Sequence, residues 1–149
     1  MLEFKIKSMS ECHLEEVSRL EKICFSVPWS KVSLKEEIDN ENSNFLVAVD
    51  KNEKVLGYAV LNFVLDEGYI TNVAVFPQYR CNGIAKKLLE TLVDFSQDKN
   101  LKFISLEVRK SNISAISLYK NLEFLAVGVR KNFYSCPKED AVIMTRYLI

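Results

Sequence analysis

The run Val73-Ala74-Val75-Phe76-Pro77-Gln78-Tyr79-Arg80-Cys81-Asn82-Gly83-Ile84-Ala85-Lys86-Lys87-Leu88-Leu89 constrains this chain more than any other segment. It begins as a β-branched strand and ends as an amphipathic helix, so the two must join across a short loop. The free N–H groups of such a helix face the space beyond the strand end. Together with the helix dipole they attract an anion such as a phosphate. Gly83 lets the backbone come close, small Ala85 keeps bulk away, and Arg80 and Lys86 add charge. The chain has only 4 Gly and 3 Pro, yet this loop holds one of each. An ordinary strand-to-helix turn with solvated charges has the same pattern, so the loop alone leaves both possibilities open.

The flanking segments place that junction in an α/β chain. Ser10 caps a helix reaching Phe25, with Leu14, Val17, Leu20 and Cys24 as its apolar stripe and His13 at its surface. Val27-Pro28-Trp29-Ser30 breaks it, and Ser30 caps a short second helix carrying Leu34 and Ile38. Strands follow at 45–49, 55–64 and 69–75, the last after a turn at Asp66-Glu67-Gly68. A helix over about 83–99 buries Ile84, Leu88, Leu92 and Phe95. A strand at 103–108, a helix from Ser111 or Asn112 to about Leu122, and strands near 125–130 and 141–147 complete the order. Strand, helix, strand in succession implies a right-handed crossover and a parallel pair inside a mixed sheet. No repeat or boundary interrupts residues 1–149, so a single domain is expected.

Composition excludes several classes. Twenty basic residues balance twenty acidic ones, which argues against a nucleic-acid binder. No apolar run approaches ~20 residues, and Met1-Leu2-Glu3-Phe4-Lys5 lacks a signal-peptide core, so no membrane association and a cytoplasmic location are expected. Cys12, Cys24, Cys81 and Cys136 share no metal-type spacing and His13 is the single histidine. No metal site and reduced thiols are expected.

Two further residues stand out, although their spacing alone favours a solvated and a core role. In Ile104-Ser105-Leu106-Glu107-Val108-Arg109, alternation puts Ser105, Glu107 and Arg109 on one face. Glu107 is there either a solvated carboxylate or a base held at the sheet surface. Tyr119, late in the following helix, reads from its helical spacing as a core aromatic. Asp66 and Glu67 form a solvated turn that could also draw in a substrate ammonium.

Taken together, Val73-Ala74-Val75-x-Pro77-x-Tyr79-Arg80-x-x-Gly83-Ile84-Ala85-x-x-Leu88-Leu89 resembles the acetyl-CoA loop of the GNAT family of N-acetyltransferases, whose signature is Gln/Arg-x-x-Gly-x-Gly/Ala. The resemblance implies that family's fold, a mixed and mostly antiparallel sheet flanked by helices. It also implies that Val73, Ala74 and Val75 pair with the pantetheine arm, and that Cys81, Asn82, Gly83, Ile84, Ala85 and Lys86 hold the CoA pyrophosphate through main-chain amides. The segment Leu106-Glu107-Val108-Arg109-x-Ser111-Asn112-x-x-Ala115-Ile116-x-Leu118-Tyr119 is similar to a bacterial subgroup that acetylates the N-terminal alanine of a small-subunit ribosomal protein. So are Cys24-Phe25-Ser26-x-Pro28-Trp29-Ser30, Arg130-x-x-Phe133-Tyr134, and Glu139-Asp140-Ala141-x-Ile143-Met144.

By that likeness Glu107 is the general base, Tyr119 the general acid and Asn112 a cofactor contact, while Phe25, Pro28, Trp29 and Tyr134 border the peptide groove. The implied co-substrate is acetyl-CoA, and the implied partner is the N-terminal peptide of a ribosomal protein; the oligomeric state stays open. A small-molecule amine or another protein as acceptor, and a non-catalytic CoA-binding protein, are the alternatives. The chain departs from the family at Leu122-Glu123-Phe124, where the family has Leu-Gly-Phe. Glycine serves there as a helix C-cap with positive φ, so a rearranged turn is expected around Glu123.

Overall fold

In the computed structural model, which describes residues 2–148, the elements run β1 (Lys5–Ser8), α1 (Leu14–Cys24), α2 (Lys31–Ile38), β2 (Ser43–Val49), β3 (Val55–Val64), β4 (Glu67–Val75), α3 (Ile84–Asp98), β5 (Phe103–Arg109), α4 (Ile113–Asn121), β6 (Leu125–Ser135) and β7 (Lys138–Tyr147). The strands form one sheet in the order β1-β2-β3-β4-β5-β7-β6. Its neighbours are antiparallel except β4 and β5. That parallel pairing covers only Glu67↔Phe103, Gly68↔Ile104 and Tyr69↔Ser105. Beyond it β4 runs on to Val75 and β5 to Arg109 with no ladder between them, which opens a split in the middle of the sheet.

Helices cover the sheet on both faces, each over its own apolar cluster. On one face Ile84, Leu88, Leu89 and Leu92 of α3 pack with Ile104, Leu106 and Val108 of β5 and with Tyr119 and Phe124. On the other, Val17 and Leu20 of α1 and Leu34 of α2 pack on Val47, Tyr58, Val60 and Phe76. This second cluster takes in no residue of β5, β6 or β7. The face of β5 that carries Glu107 is therefore left without a helical cover, next to the split.

Gly57 sets how closely β3, β4 and α3 approach. A Cβ there would lie 2.7 Å from the Ala74 carbonyl oxygen and 3.3 Å from the Ile84 side chain. Backbone on one side and the first turn of α3 on the other leave it no room. Gly57→Ala is expected to cost about 1–3 kcal/mol through overpacking, read as a lowered urea midpoint with an unchanged m-value.

Several sequence expectations are corrected. β1 was not expected, because a four-residue edge strand, Lys-Ile-Lys-Ser, is too short and too weakly buried to show alternation. The first helix is preceded by a 3-10 turn, Glu11–His13. His13 is buried rather than at the surface, accepting the Ser10 N–H on Nδ1 at 3.1 Å. β4 begins at Glu67, two residues earlier than expected, so Glu67 and Gly68 lie in the strand opposite Val64 and Phe63. The last two strands are longer than expected and form a hairpin over 135–138. Ser30 caps α2 as expected, its Oγ accepting the Ser33 N–H at 3.1 Å.

Candidate active site

The strand-to-helix loop leaves the N-terminus of α3 bare. Gly83 stands at the N-cap with φ 78° and has no side chain to cap the helix, and the first turn holds no acidic residue. Its leading N–H groups therefore lack carboxylate or hydroxyl competitors, which fits a pyrophosphate. A Cβ on Gly83 would meet nothing within 4 Å. No neighbouring protein atom requires a glycine here; its left-handed backbone does. Cys81 also has a positive φ, 65°, so the loop makes two sharp reversals. Asn82 Nδ2 donates to the Tyr79 carbonyl at 2.9 Å and the Arg80 carbonyl at 3.1 Å; its side chain ties the loop instead of reaching outward. Arg80 turns inward as well, its Nε donating to the Val75 carbonyl at 3.2 Å.

Glu107 projects from the uncovered face of β5, with Leu106 and Val108 buried on either side. Its Oε1 accepts Arg130 Nε at 3.1 Å. Arg109, on the same face, stacks its guanidinium 4.3 Å from the Tyr134 ring centroid. It also donates to Glu139 at 3.2 Å and to the Pro137 carbonyl at 2.9 Å, which pins the β6–β7 hairpin beside the end of β5. Burial raises the Tyr134 hydroxyl above its ordinary pKa, partly offset by Arg109. The Ser111 hydrogen bonds hold the Glu139 carboxyl below the usual range.

The turn after α4 decides where Tyr119 points. Phe124 N–H bonds the Tyr119 carbonyl and Glu123 N–H bonds the Lys120 carbonyl, both at 3.0 Å. These are the two bonds of a Schellman cap. Glu123 occupies the left-handed position at φ 68°, so the turn is not rearranged as expected; the glutamate simply takes the glycine's conformation. Arg146 braces it, donating to the Leu122 carbonyl at 2.9 Å and pairing with Glu123 at 3.4 Å. The Phe124 ring packs 5.9 Å from the Tyr119 ring. Glu123→Gly is expected to stabilise the fold by about 1 kcal/mol by relieving that backbone conformation, measurable as a raised urea midpoint. At the other end of α4, Asn112 is the cap, its Oδ1 accepting the Ala115 N–H at 3.2 Å.

Two cavities flank the split. The first, of about 520 Å³, is lined by Val73, Ala74, Val75, Cys81, Gly83, Ile84, Ala85 and Lys86. The second, of about 650 Å³, is lined by Glu107, Arg109, Phe25, Trp29, Phe133 and Tyr134, among others. Val73, Asn112, Tyr119, Cys24 and Phe25 belong to both walls, so Tyr119 stands where the two cavities meet. Burial pushes its hydroxyl up to about 12, with a smaller contribution from Tyr134, so it keeps its proton at neutral pH.

Of the residues singled out in the sequence, Asn82 and Pro28 line neither cavity, and neither do Asp66 and Glu67. Glu67 instead accepts the Tyr69 hydroxyl at 2.5 Å, and Asp66 pairs with Lys102 at 3.1 Å. The sequence did not point to Cys24 at the junction or to Asn72 and Thr71 in the second wall. Arg109 was legible by its alternation with Glu107. Among the described residues no group of three or more His, Cys, Asp and Glu side chains is arranged to hold a metal.

A sheet split at one parallel pair, with an uncapped helix on one side and a carboxylate on the other, is a recurrent architecture. Residues 14–124 match the acetyltransferase (GNAT) family. This chain belongs to that family. It is 35% identical over 147 residues to ribosomal protein bS18-alanine N-acetyltransferase of Haemophilus influenzae, covering 96% of this chain and 98% of that protein. The crystal structure of the ribosomal-protein-S18-alanine N-acetyltransferase from Escherichia coli superposes with a TM-score of 0.88 at 30% identity, over 98% of this chain and 94% of that one. Arabidopsis thaliana NAA60 in complex with acetyl-CoA shares the fold, with a TM-score of 0.90 at 20% identity and 98% and 99% coverage.

Proposed function

We propose that this chain is an acetyl-CoA-dependent protein N-α-acetyltransferase whose acceptor is the N-terminal alanine of a small-subunit ribosomal protein, acting in the cytoplasm. The observation that carries it is the meeting of the two cavities at Tyr119, one with bare helix amides and the other with Glu107. The names of the bacterial relatives supply the acceptor. No described helix is long and apolar enough to cross a membrane.

In this proposal the amides of the Gly83–Lys86 turn hold the pyrophosphate, and the free edge of Val73–Val75 holds the pantetheine arm. When bound, acetyl-CoA supplies the thioester. Glu107 takes the proton from the incoming ammonium, directly or through water, which frees the nitrogen lone pair to bond the acetyl carbon. A backbone N–H near Val75 holds the charge that develops on the carbonyl oxygen. Tyr119 gives its proton to the sulfur as the carbon–sulfur bond breaks, and no covalent enzyme intermediate forms. Phe25, Trp29 and Tyr134 border the peptide.

The test is thiol release from acetyl-CoA with an alanine-starting peptide, set against polyamines, aminoglycosides and peptides with other first residues. Preference for the alanine peptide is expected. Preference for a small amine, or thermal stabilisation by acetyl-CoA with no turnover on any acceptor, would overturn the proposal. In cells, mass spectrometry of ribosomal-protein N-termini after deletion should show the loss of one acetylated alanine.

A further inference from the structure

Glu21 lies in the last turns of α1, on the stripe that otherwise packs apolar side chains, and is fully buried. A leucine would serve the packing there, and burying a carboxylate costs free energy unless its oxygens are satisfied. Three of its partners, Phe25, Trp29 and Asn72, line the acceptor cavity. Oε1 accepts the Trp29 backbone N–H at 2.7 Å. Oε2 accepts Asn72 Nδ2 at 3.0 Å and the Tyr58 hydroxyl. The Glu21 carbonyl accepts the Phe25 N–H at 2.9 Å. One residue therefore holds both ends of the Phe25–Trp29 segment, through its carbonyl at Phe25 and its side chain at Trp29. Through Asn72 it fastens that segment to β4. Phe25, Trp29 and Asn72 all line the acceptor cavity, whereas Glu21 does not reach it.

The Asn72 contact depends on a bulge. Val60 pairs with Asn72 and Leu61 with Ile70, which leaves Thr71 as an extra residue in β4. Strict alternation would put Ile70, Asn72 and Ala74 on one face. Instead Ile70 packs in the cluster under α3 and Ala74 in the cluster under α1. The bulge turns Asn72 towards α1, where Glu21 receives it.

We propose that Glu21 is a positioning residue that fixes the width of the acceptor groove by clamping the Phe25–Trp29 segment to β4. This rests on the assignment of the second cavity to the acceptor peptide. Glu21 touches neither substrate; it acts through Trp29 and Asn72. Tyr58 is the contrasting partner: its hydroxyl shares the carboxylate and also accepts Asn72 Nδ2 at 3.3 Å, but it lines neither cavity, and in its absence Asn72 keeps its shorter bond to Glu21.

The chain has a single tryptophan, so its intrinsic fluorescence reports on Trp29 alone. In the full chain, Glu21→Leu and Glu21→Ala are expected to raise KM for the alanine-starting peptide by at least about tenfold, the scale of one lost charged hydrogen bond. KM for acetyl-CoA should stay within about twofold. Acrylamide quenching of Trp29 should rise in the same variants. Glu21→Gln keeps an acceptor for the Trp29 N–H and should restore most of both readouts. Tyr58→Phe should lower Tm and leave both unchanged. Equal rises in the two KM values, or a peptide KM that moves with Tyr58→Phe as it does with Glu21→Leu, would reduce Glu21 to a stabilising residue and overturn the proposal. If neither Glu21 variant folds, hydrogen exchange at the Trp29 amide of the wild type decides: strong protection is expected, and exchange as fast as that of its loop neighbours overturns the clamp. A wild type inactive on every alanine peptide would strike the proposed acceptor, while the fluorescence and exchange measurements would still decide on the clamp.

Discussion

Glu107→Gln is expected to lower kcat/KM on an alanine-starting peptide by about a hundredfold, the usual contribution of a positioned base. The substitution is nearly isosteric, and its amide oxygen can still accept Arg130 Nε as the carboxylate does at 3.1 Å. The neighbours Leu106 and Val108 anchor β5 in the core, so the strand does not depend on the charge. Tm should accordingly stay close to wild type while thiol release collapses. Acetyl-CoA binding, followed by thermal shift, should be unchanged, since Glu107 lines only the second cavity. A variant that keeps wild-type turnover would remove Glu107 from the chemistry and leave it as an ion-pair partner of Arg130.

Tyr119→Phe is expected to reduce kcat by at least about tenfold through loss of the proton donor to the departing thiolate. The ring's packing on Phe124 survives the change. The hydroxyl makes no hydrogen bond among the described residues, so little stability should be lost at neutral pH. The effect should be constant across neutral and mildly alkaline pH, because burial holds the hydroxyl at about 12.

The same shift has a stability consequence. An unfolded tyrosine ionises near about 10, so the buried one binds its proton more tightly than the unfolded chain does. Its contribution is complete below about 10 and is lost as pH rises through about 12. In alkaline urea melts the Phe variant should therefore lose less stability than wild type over that interval.

How much of this was legible depends on the reach of each signal. The order of helices and strands from α1 to β7 followed from local periodicity, because amphipathic helices and alternating strands carry their own record of which side is buried. β1 left no such record, being short and at the edge. The bare α3 terminus could be read from Arg80 to Lys86, since a loop too short to fold back must expose the first N–H groups of the helix. Its interpretation as a CoA site came from the family resemblance and not from the loop itself.

Glu123 shows the opposite case. The residue is unfavourable for a left-handed turn, yet the Schellman bonds, the Phe124 packing and Arg146 hold it there. Arg146 is on β7 and Glu123 follows α4, so no local pattern could have joined them. His13 was misplaced for a similar reason: a polar residue beside a helix start carries no sign that a distant turn will cover it.

The sequence by itself determined the element order, the alternation along β5 that buries Leu106 and Val108 and leaves Glu107 on the opposite face, and the strand–loop–helix that bares the α3 amides. All three are local consequences of periodicity and turn chemistry. Only the tertiary structure decided that β4 and β5 part after three paired residues, that a bulge at Thr71 turns Asn72 to Glu21, and that the two cavities meet at Tyr119. Those depend on register and on contacts between distant segments, which the packing of the whole sheet selects and no single stretch encodes.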